Sequence, residues 1–148
     1  MKSITGKWFE CVVAYDKAQE DGTEKKVTET RVVDALTFTE AESTITSEMA
    51  KYVSGEFDIK NINPAQYKEV FFSENDKDDH WFKVKVAFIT IDEKTMKEKF
   101  SNVFYLVQAD KSETANAYTN EVLNKGFQDY RIVSNVETRI MDVIRHEQ

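Results

Sequence analysis

Trp8 and Trp81 stand 73 residues apart, and the second is followed at alternate positions by Lys83 and Lys85. Positions i and i+2 of an extended strand share a face, so Trp81, Lys83 and Lys85 project together. A ring beside two ammonium groups is how an open sheet holds single-stranded nucleic acid: the ring stacks a base and the cations meet phosphates. If covered, the same two tryptophans fill a contact between packed layers or a self-association surface, because a bulky ring is costly to leave in water.

Other reactive groups are sparse. The two histidines, His80 and His146, have no companion at metal-ligand or catalytic spacing and read as surface residues. Cys11 is the only cysteine, which excludes an intrachain disulfide and a multi-cysteine zinc site. It shares a strand face with Phe9, Val13 and Tyr15, as a structural thiol would. Asp76-Lys77-Asp78 starts like a calcium loop, yet Trp81 stands at the sixth position and Ala87 at the twelfth, where glycine and a bidentate glutamate belong. Glu74, Asp76, Asp78 and Asp79 therefore read as a solvated stretch. Carboxylate pairs such as Glu40 with Glu42, or Glu137 with Asp142, are expected by chance among 27 acidic residues. Phosphate-loop, dinucleotide, zinc-protease and serine-hydrolase signatures do not occur, and no catalytic residue, cofactor or metal is assigned.

The elements that position these side chains recur. Sliding the chain by 73 residues without a gap places Trp8-Phe9 on Trp81-Phe82 and Val13-Ala14 on Val86-Ala87, with further matches at Lys26/Lys99, Glu40/Glu113, Glu48/Glu121, Ile59/Ile132 and Val70/Val143. Apolar positions coincide too: Tyr15 with Phe88, Val33 with Leu106, Ile45 with Tyr118 and Phe57 with Tyr130. Each copy opens with an alternating strand, Trp8 to Tyr15 or Trp81 to Ile91, turns through a polar connection, and continues in a second strand, Lys26 to Ala35 or Lys99 to Ala109. Thr37-Phe38-Thr39-Glu40 and Asp110-Lys111-Ser112-Glu113 have capping-box spacing and open a helix in each copy. Ala41, Ile45, Met49 and Tyr52, and again Ala115, Tyr118 and Val122, give the helices apolar stripes. Gly55 and Gly126 stand where left-handed C′ residues would end them. Third strands begin at Phe57 and Tyr130, and fourth extended segments run Tyr67 to Phe72 and Arg139 to Ile144, with Pro64 between the third and fourth in the first copy.

The expected fold is thus α+β: a tandem duplication of a ββαββ unit packed as an internal pseudo-dimer, with antiparallel sheet and two helices. Repeats 7–72 and 80–145 form one compact domain of 1–148, joined by an exposed acidic linker, 73–79; each is marginal alone. Phe82, Val84, Val86 and Phe88, like Phe9, Cys11, Val13 and Tyr15, face the helix, which leaves Trp8 and Trp81 on the opposite face.

Composition bounds the function. A net charge of −7 lacks the basic footprint of a duplex-binding domain, and neither half of the chain is basic. No apolar run approaches the roughly 18 residues of a membrane span, and Met1 to Lys7 lacks a secretory h-region, so a cytoplasmic setting without membrane partners is expected.

Trp8-Phe9-Glu10-Cys11-Val12-Val13, the run from Val33 to Glu42, Ser54-Gly55-Glu56-Phe57, Trp81-Phe82-Lys83 and the run from Glu137 to Val143 together resemble a family of proteins from Bacteroidetes and their phages, domain of unknown function 4494. The resemblance covers nearly the whole chain. It implies an intracellular bacterial or phage setting and carries no activity or ligand onto particular residues. The reading is a non-catalytic binding protein whose sheet face, open or between repeats, holds single-stranded nucleic acid or a nucleotide-like ligand through Trp8, Trp81, Lys83 and Lys85. The alternative is a protein-interaction or assembly module, including a homo-oligomer, in which the same tryptophans anchor the partner.

Overall fold

The computed structural model describes residues 1–145, so His146 lies outside the described residues. In chain order the elements are β1 (Lys2–Ile4), β2 (Trp8–Ala18), β3 (Glu24–Asp34), α1 (Phe38–Met49), β4 (Phe57–Ala65), β5 (Glu69–Phe72), β6 (His80–Ile91), β7 (Glu98–Ala109), α2 (Ser112–Leu123), β8 (Asp129–Glu137) and β9 (Ile140–Ile144). The chain is a mixed α+β protein with two helices and two sheets of mostly antiparallel strands.

Two compact units result. One joins Met1–Thr5 to Gln66–Thr138 and holds a five-stranded sheet in the order β1-β5-β7-β6-β8 with α2. The other joins Gly6–Ala65 to the segment from Arg139 onward and holds a four-stranded sheet in the order β4-β2-β3-β9 with α1. The extended segment that closes each half therefore enters the sheet of the other half. There it pairs in parallel: Val70 opposite Leu106, and Val32 opposite Val143. Both parallel ladders depart from the wholly antiparallel expectation. Chain reach explains where β9 goes. β8 is an edge strand, and the free edge of its own hairpin lies about 14 Å away, three strand spacings. The three links from Glu137 to Ile140 span only about 10 Å when fully extended.

Each sheet buries one face under its helix, as the alternation requires. Phe9, Cys11, Val13 and Val33 pack with Ala41, Ile45 and Met49 of α1. Phe82, Val84, Val86, Phe88, Tyr105 and Val107 pack with Ala115 of α2. Both third strands carry a bulge against the first: Lys60 of β4 is the extra residue opposite the Val12/Val13 step, and Val133 of β8 the extra residue opposite the Lys85/Val86 step, positions 73 apart.

The middle of each half follows a different offset. Ala18 pairs with Glu24, but Ile91 pairs with Glu98, so the second hairpin loop is one residue longer. From there to the end of the helix, corresponding positions are 74 apart: Val33 matches Val107, Ala41 matches Ala115, and Ile45 matches Thr119, not Tyr118. The extra residue is removed between the helix and the third strand, where Phe57 and Tyr130 are again 73 apart and pair with Tyr15 and Phe88. The ungapped matches Lys26/Lys99, Glu40/Glu113 and Glu48/Glu121 are therefore out of register.

The caps differ accordingly. In α1 the Thr37 hydroxyl accepts the Glu40 N–H at 3.1 Å, while Glu40 Oε2 accepts from Leu36 N–H at 3.2 Å, one residue before the position a capping box uses. In α2 the N-cap is Lys111, with no side-chain cap bond, so the box expected at Asp110 and Glu113 does not form. Gly55 and Gly126 are not left-handed; the right-handed residues Ala50 and Asn124 end the helices. Tyr52 lies beyond α1 and is exposed, whereas Thr119 is buried and satisfies its hydroxyl on Ala115 C=O at 2.8 Å. Pro64 falls inside β4, which its missing N–H tolerates because β4 is an edge strand. The acidic stretch before β6 is not wholly solvated: Asp78 is buried and accepts hydrogen bonds from the Ser73 and Tyr118 hydroxyls.

Candidate functional site

The face of the five-stranded sheet turned away from α2 is set by three ladders. β6 places Lys83 opposite Leu106, Lys85 opposite Phe104, Ala87 opposite Asn102 and Ile89 opposite Phe100 of β7. On its other side the same strand places Lys83 opposite Val136 and Ala87 opposite Arg131 of β8. Phe100, Phe104, Lys83, Lys85 and Arg131 thus share one surface.

Both tryptophans lie on the faces assigned by strand phase, but neither ring is available there. Trp8 and Trp81 are each 2% exposed. Trp81 meets the Phe72 ring edge to face at 5.5 Å, and its carbonyl accepts the Thr138 N–H at 2.9 Å and hydroxyl at 2.8 Å. Trp8 Nε1 is buried and has no hydrogen-bond partner among the described residues. Their burial fits the alternative in which both rings are covered and leaves neither exposed for stacking; strand phase specifies a face and not what covers it.

The two lysines are accessible. Lys83 is exposed and Lys85 is half-buried. Lys83 Nζ lies 4.5 Å from the Phe104 ring centroid and 6.0 Å from that of Tyr67, and Lys85 Nζ lies 5.9 Å from Phe104. Arg131 Cζ stands 5.6 Å over the Phe100 ring, which is 50% exposed. Two aromatic rings four residues apart on β7, flanked by three cations, form a strip of alternating π surface and positive charge.

Sequence reasoning missed Phe100, Phe104 and Arg131. The signal was present in the alternation of Phe100, Asn102, Phe104 and Leu106 along β7. Placing it beside the lysines needed the hairpin register, which the six-residue loop between β6 and β7 hides. The four-stranded sheet offers no counterpart: Glu10, Val12, Thr30 and Asp58 occupy the positions of Lys83, Lys85, Phe104 and Arg131.

The four-stranded unit holds a charged cluster of another kind. Buried Arg31 donates through Nη1 to Met49 Sδ at 3.1 Å, pairs through Nη2 with Glu29 Oε2 at 3.5 Å, and lies 5.4 Å from the Tyr52 ring centroid. The Tyr15 hydroxyl donates to Glu29. The buried guanidinium is thus paired with a carboxylate and hydrogen-bonded, which offsets the cost of burying it. In the five-stranded unit the matching position is Tyr105, stacked on Phe71 at 5.0 Å, its hydroxyl pushed up to about 12 by burial and then by the charge of Glu69. An ion in one unit and an aromatic in the other is a packing solution, not a reactive centre.

Among the described residues, the other reactive groups stand apart from one another. Burial, followed by the charge of Glu10, pushes the Cys11 thiol up to about 12. His80 lies on the surface between Asp79 at 3.3 Å and Glu137 at 3.1 Å. Among the described residues no group of three or more His, Cys, Asp or Glu is placed to hold a metal ion, and no helix is long and apolar enough to cross a membrane.

The family profile Domain of unknown function (DUF4494) matches residues 7–146. No curated protein and no solved structure matches the chain.

Proposed function

The chain belongs to the DUF4494 family, and we propose that it is a non-catalytic binding protein whose five-stranded sheet face holds single-stranded nucleic acid or a nucleotide-like ligand. One observation carries this reading: Lys83 and Lys85 bracket Phe104 while Arg131 covers half-exposed Phe100 on the accessible part of the same face. Bases stack on the two rings, and the cations neutralise the intervening phosphates. The face is too narrow and the chain too acidic for long-range attraction, so the expected complex is short-ranged and weak. Anisotropy of a labelled oligo(dT) at low salt tests it. Binding in the micromolar range is expected, with Phe104→Ala costing about 1 to 3 kcal/mol. No anisotropy change at about 100 μM protein, where a Kd in the micromolar range gives near-complete binding, contradicts it.

A second reading has its own support. β8 is a sheet edge, and Val133 and Val136 on it are 47% and 59% exposed. An unpaired apolar edge favours strand addition by a partner or a second copy. Light scattering of the pure protein tests pairing with a second copy, which raises the mass in the absence of nucleic acid, whereas the nucleic-acid reading predicts a monomer.

The chain is also read as a tandem duplication of one ββαββ unit. Paired bulges and the 73- and 74-residue offsets support that origin. A cytoplasmic setting in a bacterium or phage-infected cell is part of the same proposal, supported by the lone, buried Cys11.

A further inference from the structure

A groove of about 780 Å³ opens in the five-stranded unit between the last turn of α2 and the start of β8, within the size range of small-ligand sites. We infer that it receives a single unstacked, uncharged nucleobase, the end base of the bound strand; the strand-end role rests on the sheet-face reading above.

The polar lining comes from Asn120, Asn124, Gln128 and Tyr130, and Phe127 stands beside them fully exposed. Tyr130 Oη lies 2.7 Å from Asn120 Oδ1 and 2.6 Å from Asn124 Oδ1. A phenol has one hydrogen and can donate to only one of those oxygens. The other carboxamide satisfies the contact by rotating so that its N–H donates to the phenol oxygen. One side chain then offers the groove an oxygen, and its neighbour offers an amino group. An adjacent donor and acceptor match the edge of a nucleobase, as Asn and Gln do when they read adenine. Phe127 supplies a ring for the base to stack on.

The charge balance disfavours a phosphate in the same place. Glu98 and Asp129 line the groove against the single cation Arg131, and Leu123 and Asn124 from the carbonyl end of α2 line it too. Arg131 lines the groove and also covers Phe100, so the groove continues the aromatic strip where a strand would end.

The test is a nitrogen-15 NMR titration of the full chain with adenosine, guanosine, cytidine and uridine in turn, and separately with oligo(dT). The side-chain amides of Asn120, Asn124 and Gln128 are expected to shift with at least one nucleoside. Phe127→Ala, fully exposed and harmless to the fold, weakens that binding about tenfold, whereas Lys83→Ala weakens the oligonucleotide and leaves the nucleoside unchanged. Nucleosides that shift these amides in a chain indifferent to oligonucleotides support the groove and overturn the sheet-face reading. Oligonucleotide binding that is unaffected by Phe127→Ala, with no nucleoside response at millimolar concentration, overturns the groove and leaves the sheet face standing.

Discussion

At Cys11 and Met96 single side chains meet conditions that residue type alone does not announce. The Cys11 thiol is fully buried and pushed up to about 12, so it stays protonated at every ordinary working pH. Ellman's reagent is expected to leave the native protein unlabelled and to label one thiol once urea unfolds it; rapid native labelling would contradict this. Met96 adopts φ +59 in the longer hairpin loop, at the place where the shorter loop has Gly22 at φ +86. A side chain in the left-handed region costs about 1 to 2 kcal/mol, partly offset by the greater unfolded-state freedom of glycine. Met96→Gly should therefore stabilise the protein by about 1 kcal/mol, read as a higher urea midpoint with unchanged slope. Sequence revealed the loop but not its left-handed residue, because methionine gives no turn signal. The tryptophans teach the converse: period-two alternation put Trp8 and Trp81 on the correct side of their strands, yet their burial depends on packing that no local pattern encodes.

Strand and helix identity was largely legible, since bulky β-branched and aromatic alternation marks β2, β3, β6 and β7, and Thr37 with Glu40 marks the start of α1. Partner choice was not. β5 and β9 read as extended segments, but which sheet receives them is decided by chain reach and by free edges far away in sequence. The same non-locality hid the one-residue loop difference, and with it the alignment of Phe104 with Lys85. β9 also carries a testable electrostatic load. Desolvation raises the Asp142 carboxyl above its ordinary value, outweighing its bond from Val143 N–H at 2.8 Å and the attraction of Arg31. A carboxyl raised on folding binds its proton more tightly in the native state. Its stabilising contribution is present at low pH and is lost as pH rises through the raised value. Asp142→Asn is therefore expected to be more stable than the parent at neutral pH, by under about 1 kcal/mol because water reaches the side chain. The difference should vanish in acid. Urea titrations at neutral and acidic pH check this, and a variant weakened at neutral pH would contradict it.

At the scale of the whole molecule the chain passes between the two compact units at residues 5/6, 65/66 and 138/139. Ending the chain at Thr138 removes β9 and leaves the β3 edge from Thr30 to Val33 unpaired. Hydrogen exchange of that truncated chain should show β3 amides losing protection; full retention would mean that β9 contributes nothing to the sheet. The proposed function turns at this scale on an acidic molecule with a small cationic strip. Three cations facing a single strand should release counterions with a slope of log affinity against log salt of about −2. The direct measurement is that slope for oligo(dT), in the parent and in Lys83→Ala/Lys85→Ala. The proposed sheet face predicts a parent slope near about −2 that shrinks to about −0.7 in the double variant, with weaker binding. No binding at low salt, or an affinity and slope that the double variant leaves unchanged, would contradict it.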